Sequence, residues 1–326
     1  MYKLNYLNYP QTNDLSVQKT LSIEALSSNV EFESLNKNLT SRFNFSNLHS
    51  FSFSKEGFLG LMLEFKVDIA VSLGESESVF QAAEIYESLG FNVTYINLMP
   101  DGTIDYRGIE SLKEKYLFLS PYVIDTFVKV DLKKVKEIFS GTVISNISAT
   151  LDAADCDVAY FDVYKLSGYF THSVLLHNDL FKEQNLANID TVGLKLTFDA
   201  VNKEIPCISC KDEFIQVLTQ TLKDDLIFFV DEKATLNNVL HFGLKGIKAR
   251  EVIRNLSLSN IFVTNGEGCS LGLSKPSRII QAMGYTELQS RQALSLSFEK
   301  NLSSDEILYV VSKIGKSYRQ IKALHE

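Results

Sequence analysis

The stretch Val67–Leu98, which reads VDIAVSLGESESVFQAAEIYESLGFNVTYINL, decides the fold class of this chain. It begins with a β-branched apolar run, continues as an amphipathic segment that ends at Gly90, and closes with a second β-branched run. This order predicts a strand, a helix with Gly90 at its C-terminal cap, and another strand. Strands joined through a helix run parallel, because the helix returns the chain to the end of the sheet where the first strand began.

The same alternation continues further along the chain. Amphipathic segments at 106–115 and 131–139 alternate with apolar runs at 116–123 and 141–148. A chain of this kind forms a mostly parallel sheet whose two faces are covered by helices. We therefore predict an α/β class, with a large domain over residues 15–230.

The C-terminal part follows a different order of strand, helix, strand, loop, helix, strand and final helix. This order suits a smaller α+β domain, which we predict over residues 231–326 with residues 1–14 packed against it. The final helix begins near Ser303 and Ser304, either of which can cap it. Two acidic residues follow in its first turn, where negative charge suits the helix dipole.

Composition excludes several classes of function. A chain of 326 residues with 45% hydrophobic residues can build a large core. Its net charge of −8 gives no sign of the basic surface that binds nucleic acid. The start of the chain has no signal-peptide pattern and no apolar run reaches membrane length, so we expect a cytoplasmic protein. Four cysteines do not make a disulfide framework, and Cys207 and Cys210 lack the further ligands of a zinc site.

Residues 237–307 read NNVLHFGLKGIKAREVIRNLSLSNIFVTNGEGCSLGLSKPSRIIQAMGYTELQSRQALSLSFEKNLSSDEI. This succession resembles the small domain of NifS/IscS-type cysteine desulfurases, which are class V aminotransferases with the type I pyridoxal-phosphate fold. In that family a loop rich in glycine and serine carries the catalytic cysteine, and Pro-Ser follows at the start of a helix. Cys269, Pro276 and Ser277 stand at those positions.

Three upstream segments resemble the same family. The segment YLNYPQTND, at 6–14, is similar to its opening segment, and residues 78–110 are similar to its helix, strand and following turn. The segment DVAYFDVYKLSG, at 157–168, resembles the strand and turn that present the Schiff-base lysine, which puts Lys165 at that position. The resemblance is patchy over residues 15–65 and 178–234, and the chain is shorter than the usual member.

The resemblance implies pyridoxal phosphate as cofactor, with Lys165 as the Schiff-base lysine and Cys269 as the nucleophile that carries sulfur as a persulfide. Asn146 stands where the family has the acid opposite the pyridine nitrogen, and Ser76 where it has the ring-stacking histidine. An amide is a weaker partner than a carboxylate for a protonated ring nitrogen, and a serine has no π face.

Two further positions depart from the family pattern. Asp162 replaces a serine beside the cofactor phosphate, where a carboxylate repels a dianion. Ser295 replaces the arginine that pairs with the substrate carboxylate, and a serine makes no bidentate ion pair. Arg278 and Arg291 stand nearby in sequence as substitutes for that arginine.

The local sequence leaves two interpretations of Cys269. Gly266 and Gly268 provide an adaptable loop, and a helix that opens at Lys275–Pro276 favours a thiolate through its dipole. Alternatively, Cys269 is a small turn residue inherited from an active ancestor.

Three hypotheses follow for the whole chain. In the first it is a desulfurase-type enzyme acting on a small amino acid such as cysteine, with a sulfur-acceptor protein and a homodimeric assembly. In the second it is a degenerate relative without cofactor that serves as a binding or scaffold subunit. In the third it is a class V aminotransferase or lyase for another amino compound, in which the cysteine has no role.

Overall fold

The computed structural model describes residues 1–4, 30–181, 190–203, 207–266 and 275–325. Helices and strands alternate through most of these ranges, as the apolar runs predict. The strands are β1 (Tyr2–Lys3), β2 (Asn47–Phe51), β3 (Ile69–Ser72), β4 (Val93–Ile96), β5 (Tyr116–Phe118), β6 (Thr142–Asn146), β7 (Val158–Tyr160), β8 (Ser173–His177), β9 (Leu226–Ile227), β10 (Val239–Leu244), β11 (Ile261–Phe262) and β12 (Ala293–Ser297). The helices are α1 (Val30–Phe43), α2 (Lys55–Phe65), α3 (Glu77–Ser88), α4 (Tyr106–Glu110), α5 (Leu132–Ile138), α6 (Val163–Ser167), α7 (Thr191–Val201), α8 (Lys211–Leu222), α9 (Ala249–Ser257), α10 (Arg278–Ala282), α11 (Glu287–Ser290) and α12 (Ser304–His325).

A seven-stranded sheet forms the larger part of the protein, with the strand order β2-β8-β7-β6-β5-β3-β4. The five strands from β3 to β7 pair in parallel, and β8 pairs antiparallel with both β7 and β2. The predicted α/β class with a mostly parallel sheet is therefore confirmed. The carboxyl ends of the parallel strands share one edge, which is where this class of sheet places its ligand sites.

Helix α3 illustrates why the sequence folds in this way. Ser76 caps the helix by accepting from the backbone N–H of Val79, and Gly90 follows its end with a φ of 97° that suits glycine. The apolar residues of α3, among them Val79 and Tyr86, are fully buried against the sheet. Burial of a large apolar side chain stabilises the fold by roughly 1.5–3 kcal/mol.

The C-terminal part has its own antiparallel sheet, with the order β12-β10-β9. Phe214 on α8, Phe242 on β10 and Ile314 on α12 belong to one core in this part. Strand β1 pairs in parallel with β11, and Leu4 joins the same core. None of the helices within the described ranges combines the length and the apolar character that a membrane crossing needs.

The structure decides between the two caps proposed for the final helix. Ser303 accepts from the N–H of Glu306 through its hydroxyl, and the Glu306 carboxylate accepts from the N–H of Ser303 at 2.9 Å. This reciprocal pair is a capping box, so Ser303 is the cap and Ser304 is the first helical residue.

Lys165 follows β7 and lies inside the one-turn helix α6. One local prediction near the site is wrong in detail. The helix after the cysteine loop opens at Arg278, with Ser277 as its cap, so Pro276 precedes it. Helix α10 has only five residues, and a dipole of that length gives less support to a thiolate than the sequence suggested.

Candidate active site

Lys165 lies beside a carboxylate rather than alone. The Asp162 side chain caps α6 by accepting from the backbone N–H of Lys165, and its other oxygen lies 3.6 Å from the Lys165 amine. The two side chains are only 10% and 6% exposed. Because both charged groups are largely shielded from water, the attraction between them is needed to stabilise each one.

Lys165 and Asp162 line a cavity of about 710 Å³. Ser52 and Ser54 also border it, and Ser54 caps the N-terminus of α2 by accepting from the N–H of Gly57. An N-terminus of an eleven-residue helix carries partial positive charge and attracts anions. The cavity therefore joins a primary amine to an anion-attracting helix end, with the Asp162 carboxylate opposing the anion.

Asn146 and Ser76 are fully buried and do not line this cavity. The Ser76 hydroxyl is engaged as the cap of α3. The Asn146 side-chain oxygen accepts from the N–H and the hydroxyl of Ser148, at 3.0 and 2.6 Å. The Asn146 amide nitrogen Nδ2 has no hydrogen-bond partner among the described residues.

A short hydrogen-bond network connects Asn146 to the lysine. The backbone N–H of Asp162 donates to the Ser148 hydroxyl at 2.8 Å, and that hydroxyl donates to Asn146. One network of hydrogen bonds on the carboxyl side of β6 and β7 thus includes Asn146, Ser148, Asp162 and Lys165. The structure brings Lys165 and Asn146 into one network, although only Lys165 lines the cavity.

A buried acid lies next to this network, and the sequence prediction missed it. The Glu75 carboxylate accepts from the hydroxyls of Ser120 at 2.6 Å and Tyr160 at 3.2 Å. Ser120 also accepts from the backbone N–H of Asn146. Burial raises the pKa of the Glu75 carboxyl and outweighs these hydrogen bonds, which act in the opposite direction.

Tyr160 contacts this acid and is also the partner of Asn146 across β6 and β7. The side chains of Tyr160 and Asn146 therefore project from the same face of the sheet. Tyr160 is fully buried among the aromatic rings of Phe51, Phe53 and Phe58. The one sequence signal for this cluster is Glu75 itself, a charged residue between a buried strand and the cap of α3.

Cys269 lies in the segment 267–274, outside the described residues. The described residues next to this segment are Gly266 and Lys275. Further along the chain, Arg278 donates to the carbonyl oxygens of Leu73 and Glu75, at 2.8 and 2.6 Å. The start of α10 is thereby attached to the loop that precedes Ser76.

The sequence suggested Arg278 or Arg291 as a substitute for the substrate-binding arginine. Arg278 is engaged with Glu77 at 3.3 Å as well as with the two carbonyls, and Arg291 pairs with Glu287 at 2.6 Å on α11. Ser295 is buried, and its hydroxyl lies 2.9 Å from Nδ1 of His241. Neither arginine lines the Lys165 cavity.

The residues fit pyridoxal phosphate at three points. Lys165 supplies the amine, the α2 N-terminus suits the phosphate, and the Asn146 Nδ2 is a buried donor that matches an unprotonated pyridine nitrogen, which is an acceptor. Ser76 and Asp162 are the two departures, because one has no ring to stack on the cofactor and the other repels its phosphate. Tyr160 is the partner of Asn146 across β6 and β7 and lies on the same face of the sheet.

Comparisons with known proteins agree with the fold and the resemblance. No protein-family model matches the chain. The chain is similar to the cysteine desulfurase IscS of Buchnera aphidicola subsp. Schizaphis graminum, with 22% identity over 296 residues that cover 78% of this chain and 71% of the relative. It is also similar to the structure of a NifS-like protein, with a TM-score of 0.69 and 15% identity over 90% of each chain.

A third comparison is with the structure of SspA in complex with cysteine, which covers 92% of this chain and 99% of that one with a TM-score of 0.67 and 14% identity. The predicted resemblance to NifS/IscS-type cysteine desulfurases is confirmed, and the chain has the fold of NifS-like proteins. The curated relatives of the chain include cysteine desulfurases.

Proposed function

We propose that this chain, a distant relative of the NifS/IscS-type desulfurases, is a cysteine desulfurase-like enzyme that uses pyridoxal phosphate. The observation that carries the proposal is the position of the Lys165 amine, in a cavity bordered by the N-terminus of α2. A lysine that is nearly buried yet faces a cavity is the arrangement that a carbonyl cofactor needs. Cysteine is the substrate that this relationship favours.

Each residue has a separate role in this proposal. Bound pyridoxal phosphate supplies the electron sink for cleavage at the substrate carbon. Lys165 binds the cofactor and moves the substrate proton, while Asp162 holds the lysine amine in place. Asn146 orients the ring through its unpartnered N–H, and Ser76 keeps α3 capped beside it.

Cys269 is assigned from its position in the sequence as the acceptor of the sulfur. Its thiolate forms a sulfur–sulfur bond with the substrate sulfur while the carbon–sulfur bond breaks and its electron pair stays with the substrate carbon skeleton. The product on Cys269 is a persulfide, which a second protein then accepts. We expect the enzyme to act as a homodimer.

A second candidate function has its own supporting observation. Asn146 and Ser76 are sealed beneath buried side chains, and the Asp162 carboxylate borders the proposed phosphate site. These features favour a relative without cofactor that serves as a binding or scaffold subunit.

One measurement separates the two candidates. Pyridoxal phosphate is added to the purified protein, and the long-wavelength absorption band is recorded for wild type, Lys165→Ala and the control Lys195→Ala, whose lysine pairs with Asp199 outside the cavity. A band in wild type and the control that is lost in Lys165→Ala supports the enzyme. Absence of a band and of binding at saturating cofactor refutes it and leaves the binding subunit.

Sulfide release tests the role of the thiol. Release from cysteine is compared in wild type, Cys269→Ala and the control Cys207→Ala, in which the replaced cysteine is exposed. The proposal expects loss of release only in Cys269→Ala. Equal release in all three proteins removes the cysteine from the mechanism and favours an aminotransferase or lyase acting on another amino compound.

A further inference from the structure

A histidine and a carboxylate lie together at the rim of the Lys165 cavity. His172 and Asp190 both border this cavity. The Asp190 oxygen Oδ2 accepts from the backbone N–H of His172 at 3.0 Å and lies 3.5 Å from Nδ1 of its imidazole ring. The His172 side chain is 60% exposed, so a small molecule that enters the cavity can reach the ring.

The backbone holds both residues in place. Asp190 caps α7, because its oxygen Oδ1 accepts from the N–H groups of Val192 and Gly193, at 2.9 and 3.2 Å. The N–H of Asp190 donates to the Ser50 hydroxyl at 2.8 Å. The carbonyl oxygen of His172 packs so closely against Gly193 that a Cβ would have no room there. One oxygen of the Asp190 carboxylate therefore serves the helix, while the other faces the histidine.

This arrangement selects one form of the imidazole ring. A neutral imidazole carries its proton on either Nδ1 or Nε2, and the other nitrogen is an acceptor. An ionised carboxylate only accepts hydrogen bonds, so Oδ2 of Asp190 beside Nδ1 of His172 favours the proton on Nδ1. Nε2 is then free to accept a proton. A base whose ring is oriented by a third group is a recurring arrangement in catalytic sites.

Other charged and titratable groups also border this cavity. Asp162, Tyr164 and Lys165 approach it from α6 and its cap, whereas Asp190 approaches from the start of α7. The Lys165 amine and the Asp162 carboxylate pair at 3.6 Å, and the Tyr164 ring stacks on Phe170. The imidazole of His172 is the type of group that changes charge near neutral pH, which suits a proton acceptor.

We propose that His172 is a catalytic residue that accepts a proton from the substrate ammonium group, and that Asp190 is the positioning residue that orients its ring. The proposal rests on the proposed function. An amino acid arrives with its nitrogen protonated, and such a nitrogen has no lone pair with which to attack a carbonyl. One N–H bond of the ammonium group breaks, its electron pair stays on nitrogen, and the proton bonds to Nε2 of His172. Because the ring is exposed, the proton then passes to water.

Two variants of the full-length protein separate the base from its orientation. His172→Gln removes the base. Asp190→Asn keeps an oxygen for the α7 cap but places an NH2 group beside Nδ1, and this donor favours the proton on Nε2, so the ring stays but no longer accepts. The matched control is Asp105→Asn, because Asp105 caps α4 through two N–H groups in the same way and does not border the cavity.

The first readout needs neither cofactor nor turnover. Nitrogen-15 NMR of the histidine rings, recorded at alkaline pH where imidazoles are neutral, reports which ring nitrogen of His172 carries the proton. We expect the proton on Nδ1 in wild type and in Asp105→Asn, and on Nε2 in Asp190→Asn. A proton on Nε2 in wild type overturns the orientation by Asp190 and the role of Nε2 as acceptor.

The second readout is sulfide release from cysteine as a function of pH. At pH 7 the value of kcat/KM should fall roughly 100-fold in His172→Gln and in Asp190→Asn, but not in Asp105→Asn. The loss should shrink towards about pH 9.5, because the free amino acid then loses its ammonium proton to solvent and needs no base. Titration of the cofactor absorption band should give the same affinity in all four proteins.

The outcomes distinguish this proposal from the proposed function. Normal cofactor binding together with undiminished release in His172→Gln, or a loss that is equal at every pH, overturns the proton transfer and leaves the proposed function intact. A wild-type protein that binds no pyridoxal phosphate refutes both. Because the His172 side chain is largely exposed, His172→Gln tests the proton transfer even if Asp190→Asn does not fold.

Discussion

The amine of Lys165 lies 3.6 Å from the carboxylate of Asp162, and the same carboxylate caps the helix that carries the lysine. This pairing keeps a charged lysine stable in a nearly buried position. It also sets a negative charge at the edge of the cavity where the cofactor phosphate is proposed to bind. The two effects compete, so Asp162 stabilises the lysine of the apo protein at the expense of anion binding.

Asp162→Asn should therefore bind pyridoxal phosphate more tightly than wild type, by roughly tenfold or ~1.4 kcal/mol. Asparagine still caps α6, but it removes the charge paired with the nearly buried Lys165 amine, so the free energy of unfolding should fall by about 3–5 kcal/mol. Titration of the cofactor absorption band measures the affinity, and Asp199→Asn, which removes an exposed partner of Lys195, is the control. Weaker binding in Asp162→Asn would mean that the carboxylate holds the lysine for the cofactor rather than opposing it.

The buried Glu75 predicts a distinct dependence of stability on pH. Its pKa is raised in the folded protein, chiefly by burial, so the native state retains a proton that the unfolded state loses above about pH 4.5. The contribution of Glu75 to stability is thus fully present below that pH and is lost as the pH rises towards the folded-state pKa. Glu75→Gln has no ionisable group at this position, so its stability should not fall with rising pH for this reason.

Urea unfolding of wild type and Glu75→Gln between pH 4 and pH 8 measures the difference. The free energy of unfolding of Glu75→Gln should rise relative to that of wild type as the pH rises, and the difference between the two should be smallest at pH 4. A difference that does not vary with pH would show that Glu75 has the same pKa in the folded and the unfolded protein.

The alternation of apolar runs was enough to predict the parallel sheet, because central strands such as β3, β6 and β7 are buried on both faces and leave apolar runs that can be recognised locally. The position of Lys165 also came from a local segment. The Glu75–Tyr160 contact joins residues 85 positions apart, and the Asp125–Ser277 contact joins residues 152 apart. No local pattern signals such pairs, since they exist only once the strand order is known.

His241 predicts the opposite dependence of stability on pH. Burial lowers the pKa of its imidazole to about 4, whereas an unfolded histidine titrates near 6.5. The unfolded state therefore binds a proton as the pH falls through 6.5 and the native state does not, so stability falls between pH 6.5 and 4 by up to about 3 kcal/mol. His241→Gln, neutral at every pH, should show a smaller fall in urea unfolding, whereas replacement of the exposed His172 should not. An equal fall in His241→Gln would assign the acid sensitivity to other groups.

Tyr160 is the cross-strand partner of Asn146 on one face of the sheet, and Asn146 is fully buried. We therefore expect the cofactor ring to reach Asn146 only if the Tyr160 side chain moves. Tyr160→Ser removes the ring, and should bind pyridoxal phosphate about tenfold more tightly because the cost of moving the ring is gone. Tyr160→Phe keeps the bulk of the ring and loses the hydroxyl that donates to Glu75, so it should bind the cofactor as wild type does.

The serine variant should also be destabilised by about 3–5 kcal/mol because of the cavity it creates, which chemical denaturation checks. Equal cofactor affinity in all three proteins would mean that the ring does not approach Asn146, and would remove Asn146 from the proposed cofactor site.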